Sequence, residues 1–443
     1  MNKFFKFKPH FLILAGYLLI SLFFSFVLLL PFTHKGNLDF IDALFTSTSA
    51  LCVTGHIVKD TEKFWTIWGK FIILFLIQIG GLGYMTLLSY FFLVLKGGVP
   101  ISLRVITKET QTFLRGIPVR ELILKVLIYT LIIEISGSFF LFLFTDGKDR
   151  LFHSVFHSIS AFCNAGFSSY SENLMKYQNS PFYLLTISFL FIIGGIGFFV
   201  LDDIYNFLRK RKSVSYHSKV VIKTTLFLIL FFSIIFLIIE WNNSLKNFNV
   251  LLKIINSIFH VTTPRTAGFS ALNIANFSIS TILIIIFLMI VGGSPGGTAG
   301  GVKTTNFAIL AAFLRSIFRG EEEVYLSKRR IENNLLIESL MIFSLYIFIA
   351  GLCLFLILIV EGNRFDFTGI LFEVISALST VGLSLGSKIY PNLSLSTDFS
   401  PVSKLVIIFL MIIGRIGVFT VWSILITRKK TLKSYPKGEL LIV

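Results

Sequence analysis

Four glycines, Gly55, Gly166, Gly268 and Gly382, each follow a short half-apolar stretch and lie 111, 102 and 114 residues apart. The runs they close begin at Phe45, Phe156, Phe259 and Phe372, and the third needs one residue fewer. The chemistry on offer is that of the backbone. Glycine reaches dihedrals closed to other residues, so four such segments meeting on one axis would present rings of carbonyl oxygens able to replace a cation's hydration shell. One glycine after a short helix is ordinarily a cap or a packing contact. Four at the same topological depth point to a shared function, and the lack of an acidic ring beside them favours a monovalent ion.

A second set of glycines is registered to the first. Gly80-Gly81-Leu82-Gly83, Gly194-Gly195-Ile196-Gly197, Gly292-Gly293-Ser294-Pro295 and Gly414-Arg415-Ile416-Gly417 follow the four loop glycines at similar distances. In the third copy Gly292, Gly293, Gly296, Gly297, Gly300 and Gly301 crowd around Pro295. A continuous helix is expensive there, by about 1 kcal/mol per Gly and about 3 kcal/mol for Pro, so the span must break. The break reads as a mobile plug, with Ser294, Thr298, Thr304 and Thr305 supplying local hydrogen bonds. Arg415 replaces Gly81, Gly195 and Gly293 in the other copies. An arginine at mid-membrane costs at least about 2.5–3.5 kcal/mol, so it is expected to face the pore, bond the loop's carbonyls and repel a cation.

The elements that must position these residues are membrane helices. The chain has 443 residues, 55% of them hydrophobic and only 14% charged, with 51 Phe and a net charge of +17. That is too little polar surface for a soluble enzyme or a nucleic-acid binder, and three cysteines exclude a disulfide scaffold. Apolar runs at 11–31, 65–95, 121–144, 181–208, 219–240, 280–318, 335–360 and 401–427 each reach the roughly 20 residues that cross a bilayer. The first is too long for a signal peptide and is read as a retained span. Lys and Arg cluster in alternate connections and at both termini, which places those on the cytoplasmic side. The other connections hold shorter stretches near 39–51, 151–163, 248–262 and 367–378, long enough to dip in but not to cross.

The expected fold is an all-α integral membrane protein with four pseudo-symmetric span–pore loop–span repeats around a central pore. The repeats run 11–95, 121–208, 219–318 (with an intramembrane gate loop over 292–303) and 335–427, joined by cytoplasmic linkers 96–120, 209–218 and 319–334 and followed by a cytoplasmic tail, 428–443.

These repeats, and above all Gly292 to Thr305, resemble the potassium-uptake superfamily of bacterial Trk and Ktr membrane subunits and their plant and yeast (HKT) relatives, over residues 11–427. The absence of extra leading spans makes the chain more similar to the Ktr type. The resemblance implies potassium bound by the backbone carbonyls of Val53, Thr54, Gly55, Asn164, Ala165, Gly166, Thr266, Ala267, Gly268, Thr380, Val381 and Gly382. It implies gating by Gly292, Gly293, Pro295, Gly296, Gly297, Gly300, Gly301, Lys303 and Arg415. It further implies a homodimer in the cytoplasmic membrane, docked on a cytosolic ring that carries the nucleotide, with no cofactor in this chain and sodium as a candidate activator. His56 and the equivalent Cys52 and Cys163 depart from the family pattern around the filter. Glu134 is expected to pair with Lys303 or another helix, Gln78 to bond between helices, and Cys52 with His56 is one ligand short of a metal site. Glu321 to Arg330 reads as a solvated cytoplasmic turn. The alternatives are a sodium-permeable or sodium-coupled member of the same family and an intramembrane enzyme; no catalytic cluster supports the latter.

Overall fold

The computed structural model describes residues 9–83, 119–211 and 213–425. The linker expected over 96–120, apart from its last two residues, and the tail 428–443 fall outside the described residues.

The first unit contains α1 (Pro9–Leu28), α2 (Phe40–Leu51) and α3 (Ile67–Leu82). The second contains α4 (Val119–Phe144), α5 (Arg150–Phe162), α6 (Pro181–Ile196) and α7 (Phe198–Lys210). The third contains α8 (Tyr216–Glu240), α9 (Val250–Thr262), α10 (Ile279–Ile290) and α11 (Thr304–Arg319). A two-stranded hairpin, β1 (Tyr325–Leu326) with β2 (Arg329–Arg330), leads to the fourth: α12 (Asn333–Glu361), α13 (Phe367–Leu378), α14 (Pro401–Ile416) and α15 (Val418–Leu425).

The outer helix of each unit, α1, α4, α8 and α12, is long and apolar enough to cross a membrane. Their exposed faces carry Leu, Ile and Phe, such as Phe23, Ile135, Phe231 and Phe355, as lipid requires. The pore helices α2, α5, α9 and α13 have 12 or 13 residues, a rise of about 18–20 Å, so each ends inside the bilayer. The inner helices begin where Thr66, Ser278 and Ser400 accept a hydrogen bond from the N–H three residues on and where Pro181 and Pro401 occupy the first turn.

Each inner helix packs on the pore helix of the next unit: α3 on α5, α6 on α9, α10 on α13 and α14 on α2. This cyclic order closes four units into one ring.

The apolar runs at 181–208 and 401–427 are not single spans. Helix α6 stops at Gly197 (φ 101°) and α14 at Gly417 (φ 98°), and a new helix follows each. The bend between α6 and α7 is 102°. Helix α3 ends likewise at Gly83 (φ 78°). The breaking device expected only of the third unit therefore recurs at the same depth in the others, because a left-handed glycine ends the helical ladder there.

Candidate functional site

Each pore helix runs directly into its glycine segment. The chain turns left-handed at Val53, Asn164, Thr266 and Thr380 (φ 55°, 59°, 79° and 53°) and again two residues later at Gly55, Gly166, Gly268 and Gly382 (φ 96°, 69°, 74° and 83°). Non-glycine residues at positive φ are uncommon, and here one stands at the same place in all four copies. The alternation extends the backbone beyond the helix, with amides such as those of Thr54, Ala165, Ala267 and Val381 bonded back to carbonyls of Ser49, Ser160, Thr263 and Ser376.

The four segments form a closed ring. A Cβ at Gly55 would lie 3.0 Å from Gly166 Cα, one at Gly166 3.0 Å from Gly268 Cα, and one at Gly382 2.7 Å from Gly55 Cα. A Cβ at Gly268 would strike Val381 O. Glycine is thus required twice over, for dihedral and for approach. Gly55, Gly268 and Gly382 open on one cavity of about 70 Å³, whose rim includes Ile57, Ser270 and Ser384.

Two sets of side chains, on the pore helices or, for Thr263, at the C-cap of one, hold the segments from behind. Ser49, Ser160, Thr263 and Ser376, all buried, donate to the carbonyls of His56, Phe167, Phe269 and Leu383 at 2.8, 2.7, 2.7 and 2.7 Å. Three residues earlier, His157 and His260 accept from the N–H groups of Ser169 (3.3 Å) and Leu272 (3.2 Å), and Glu373 from those of Ser396 (3.0 Å). In the first unit this position is Thr46, which bonds back along its own helix. There His56 reaches instead to Glu373 (3.4 Å) and Ser394 (3.2 Å). Both sets stood in the aligned runs as Ser, Thr, His and Glu, and only the loop geometry reveals what they touch.

Below the ring, Gly80, Gly194 and Gly414 press against the last carbonyls of their pore helices, those of Leu51, Phe162 and Leu378. In the third unit the glycine-rich loop takes this space. Gly292 N–H bonds Val302 O at 3.0 Å, pinching the loop at its base. Its body sits in the break of the second unit: Ser294 and Thr298 donate to the freed carbonyls of Gly195 (2.9 Å) and Gly194 (3.1 Å), and the first amide of α7, Phe198, donates to Gly296 O at 3.2 Å. Ser294 and Thr304 bond each other at 2.9 Å, while the Thr298 hydroxyl reaches Phe162 O at 3.2 Å. Five loop glycines, 292, 293, 297, 300 and 301, face atoms that a Cβ would crowd, whereas Gly296 faces open space. Most of the glycine content is therefore close packing, beyond the mobility read from sequence. Gly197 is the matching contact, with Pro295 O 2.7 Å from where its Cβ would be.

Arg415 donates to Thr298 O in the loop and to Gly80 O in the first unit. Among the described residues no carboxylate lies within ion-pair distance of it. Lys303 donates to Ala299 O at 2.7 Å, so it is not the partner of Glu134. Glu134 instead accepts from Gln78 at 3.1 and 3.2 Å, with Cys163 Sγ 3.8 Å away. Cys52 and His56 form no metal cluster; among the described residues no three His, Cys, Asp or Glu side chains gather. One further residue was not singled out by the sequence. Arg265, buried just before the third segment, donates to Gly292 O (3.3 Å) and lies 3.5 Å from the Thr225 hydroxyl, linking that segment to the base of the loop.

The geometry fits known transport proteins. The potassium/sodium uptake protein NtpJ of Enterococcus hirae is 34% identical over 98% of this chain and 96% of its own length. Ktr system potassium uptake protein B of Bacillus subtilis is 35% identical over 99% of this chain and 97% of its own. The crystal structure of the potassium transporter TrkH from Vibrio parahaemolyticus superposes with a TM-score of 0.75 at 19% identity, covering 97% of this chain and 87% of that one. Residues 4–435 match the family described as TrkH, cation transport protein. A ring of four glycine segments, held by four short helices that end within an apolar bundle, and a match over nearly the whole sequence lead to one assignment: the chain belongs to the TrkH family of cation transport proteins, and is a membrane transporter rather than an enzyme.

Proposed function

We propose that the protein takes up potassium across the cytoplasmic membrane through the ring of four glycine segments, acting as a gated, channel-like pore. The observation that carries this is the ring itself, with left-handed glycines at Gly55, Gly166, Gly268 and Gly382 backed by one another's main chain. The carbonyls of residues 53–55, 164–166, 266–268 and 380–382 accept no hydrogen bond from the described residues. They are free to coordinate a dehydrated cation, and the C-terminal, partially negative ends of the four pore helices converge on the same place.

Below them, the loop over 292–303 and Arg415 form the gate. Arg415 puts a positive charge at the loop, and its hold on Thr298 O keeps the loop across the path; opening requires that bond to break. Lys303, bonded within the loop, adds a second cation. Both termini are cytoplasmic, the protein works as a homodimer, and a cytosolic nucleotide-binding ring regulates it. The relatives named for a Ktr system and the basic cytoplasmic connections support this part of the reading.

A sodium-permeable pore is the second reading, favoured by the name of the Enterococcus relative and by the single glycine in each segment. Rubidium and sodium uptake into liposomes containing only this chain tests both. Rubidium uptake well above sodium uptake is expected; comparable uptake supports the second reading, and no uptake of either ion ends both.

A further inference from the structure

The four segments share a feature that concerns the carbonyls past the glycine. In each, three successive carbonyls, ending with that of the glycine, accept no hydrogen bond from the described residues, while the fourth is tied to a hydroxyl on the pore helix or at its C-cap. The tie is made by Ser49, Ser160, Thr263 and Ser376, and its length varies by only 0.1 Å between copies, from 2.7 to 2.8 Å. It survives the missing residue of the third copy, where Thr263 stands five positions before Gly268 rather than six. An incidental contact would not follow the glycine through a change of spacing.

Resting on the reading of the segments as an ion path, we propose that these four hydroxyls are positioning residues that end the coordinating stack at the glycine layer. Each draws the fourth carbonyl back toward the pore helix and so withholds a ring of oxygens from the ion. Selectivity in a carbonyl-lined site depends on how many oxygens reach the ion and how firmly they are held. Loss of a tie frees one oxygen at the outer mouth and loosens the glycine carbonyl behind it. The smaller sodium ion, which gains from oxygens that can close in, then competes better. Ser49 adds a second contact, accepting from Gly55 N–H at 3.2 Å, so the first segment is held at two adjacent points.

The test is the potassium-to-sodium flux ratio of the full chain in liposomes, compared between variants that lose the hydroxyl and variants that keep it. Ser160→Ala, Ser376→Ala and the near-isosteric Thr263→Val are expected to lower the ratio about three- to tenfold, the scale of one neutral hydrogen bond. Ser160→Thr, Ser376→Thr and Thr263→Ser are expected to stay within about twofold of the parent on the same scale. Should an alanine variant fail to accumulate, the comparison of Thr263→Val, which preserves shape, with Thr263→Ser, which preserves the hydroxyl, decides the matter. Conducting hydroxyl-free variants with the parent ratio, or equal losses in both groups, overturn the proposal while leaving the pore intact. A parent chain that passes no cation overturns the pore reading itself.

Discussion

Arg415 is a cation inside the membrane held by carbonyls, and its partners belong to two other units. The cost of placing it at that depth, at least about 2.5–3.5 kcal/mol, is offset by its bonds to Thr298 O and Gly80 O and by the Tyr17 hydroxyl beside it. Arg415→Ala is therefore expected to release the loop and raise basal cation flux several-fold in liposomes, with the potassium-to-sodium ratio kept. An unchanged flux would show that the arginine is only a structural tie. Arg415 was legible because a charge deep inside an apolar run must find partners. The hydroxyl ties were not, since Ser and Thr in such helices ordinarily bond back to their own turn, as Ser257 does to Lys253 O at 2.7 Å and Thr46 to Asp42 O at 2.9 Å. Residue type alone does not distinguish those from Ser160 or Ser376. Arg265 was hidden in the same way, its target Gly292 O being brought near only by the fold.

At the scale of elements, helix ends carry the design. The inner helices stop at Gly83, Gly197 and Gly417, and the loop of the third unit fills the gap that one of these stops opens in the second. The four pore helices are legible in the sequence because half-apolar stretches of this length are too short to cross a bilayer. Sequence reading saw the break near Gly292, where glycine and proline crowd, and passed over those at Gly197 and Gly417, where a glycine or two in an apolar run reads equally well as helix packing. The difference is a left-handed dihedral fixed by tertiary partners. The tight seam between inner helix and pore helix makes a prediction. Gly194→Ala drives a methyl group into Phe162 O and is expected to destabilise the detergent-solubilised protein by about 1–3 kcal/mol, the range for overpacking. Gly351→Ala, on an exposed face of α12 with nothing within 4 Å, is expected to be neutral or stabilising by up to about 1 kcal/mol. Thermal or denaturant melts of the two variants check both, and equal effects would mean that the seam is looser than its geometry.

At the scale of the molecule, the basic excess of 40 Lys and Arg over 23 Asp and Glu gathers in alternate connections and at the two ends of the sequence. Reporter fusions should accordingly be active in the cytoplasm when joined after residue 443 or inserted near Gly320, and inactive there when inserted near Gly147; the reverse pattern would invert the orientation argued from charge. The repeat was legible because two sets of glycines recur in register, one in the loops and one in the spans that follow, whereas the order in which the units touch is not written in any one of them. That order has a consequence for how the protein is made. The seam between the fourth and first units joins Lys404 to Asp42 at 2.7 Å, Glu373 to His56 at 3.4 Å and Ser394 N–H to Ile57 O at 3.0 Å. Residues of the fourth unit, made after the other three, thus complete partners in the first. Until then the nascent chain is a three-quarter ring, with the carboxylate of Asp42 short of its closest lysine and the Gly55 segment uncovered on one flank. A translation arrest or nonsense mutation before the fourth unit leaves an open polar cleft in lipid, a ready target for membrane quality control.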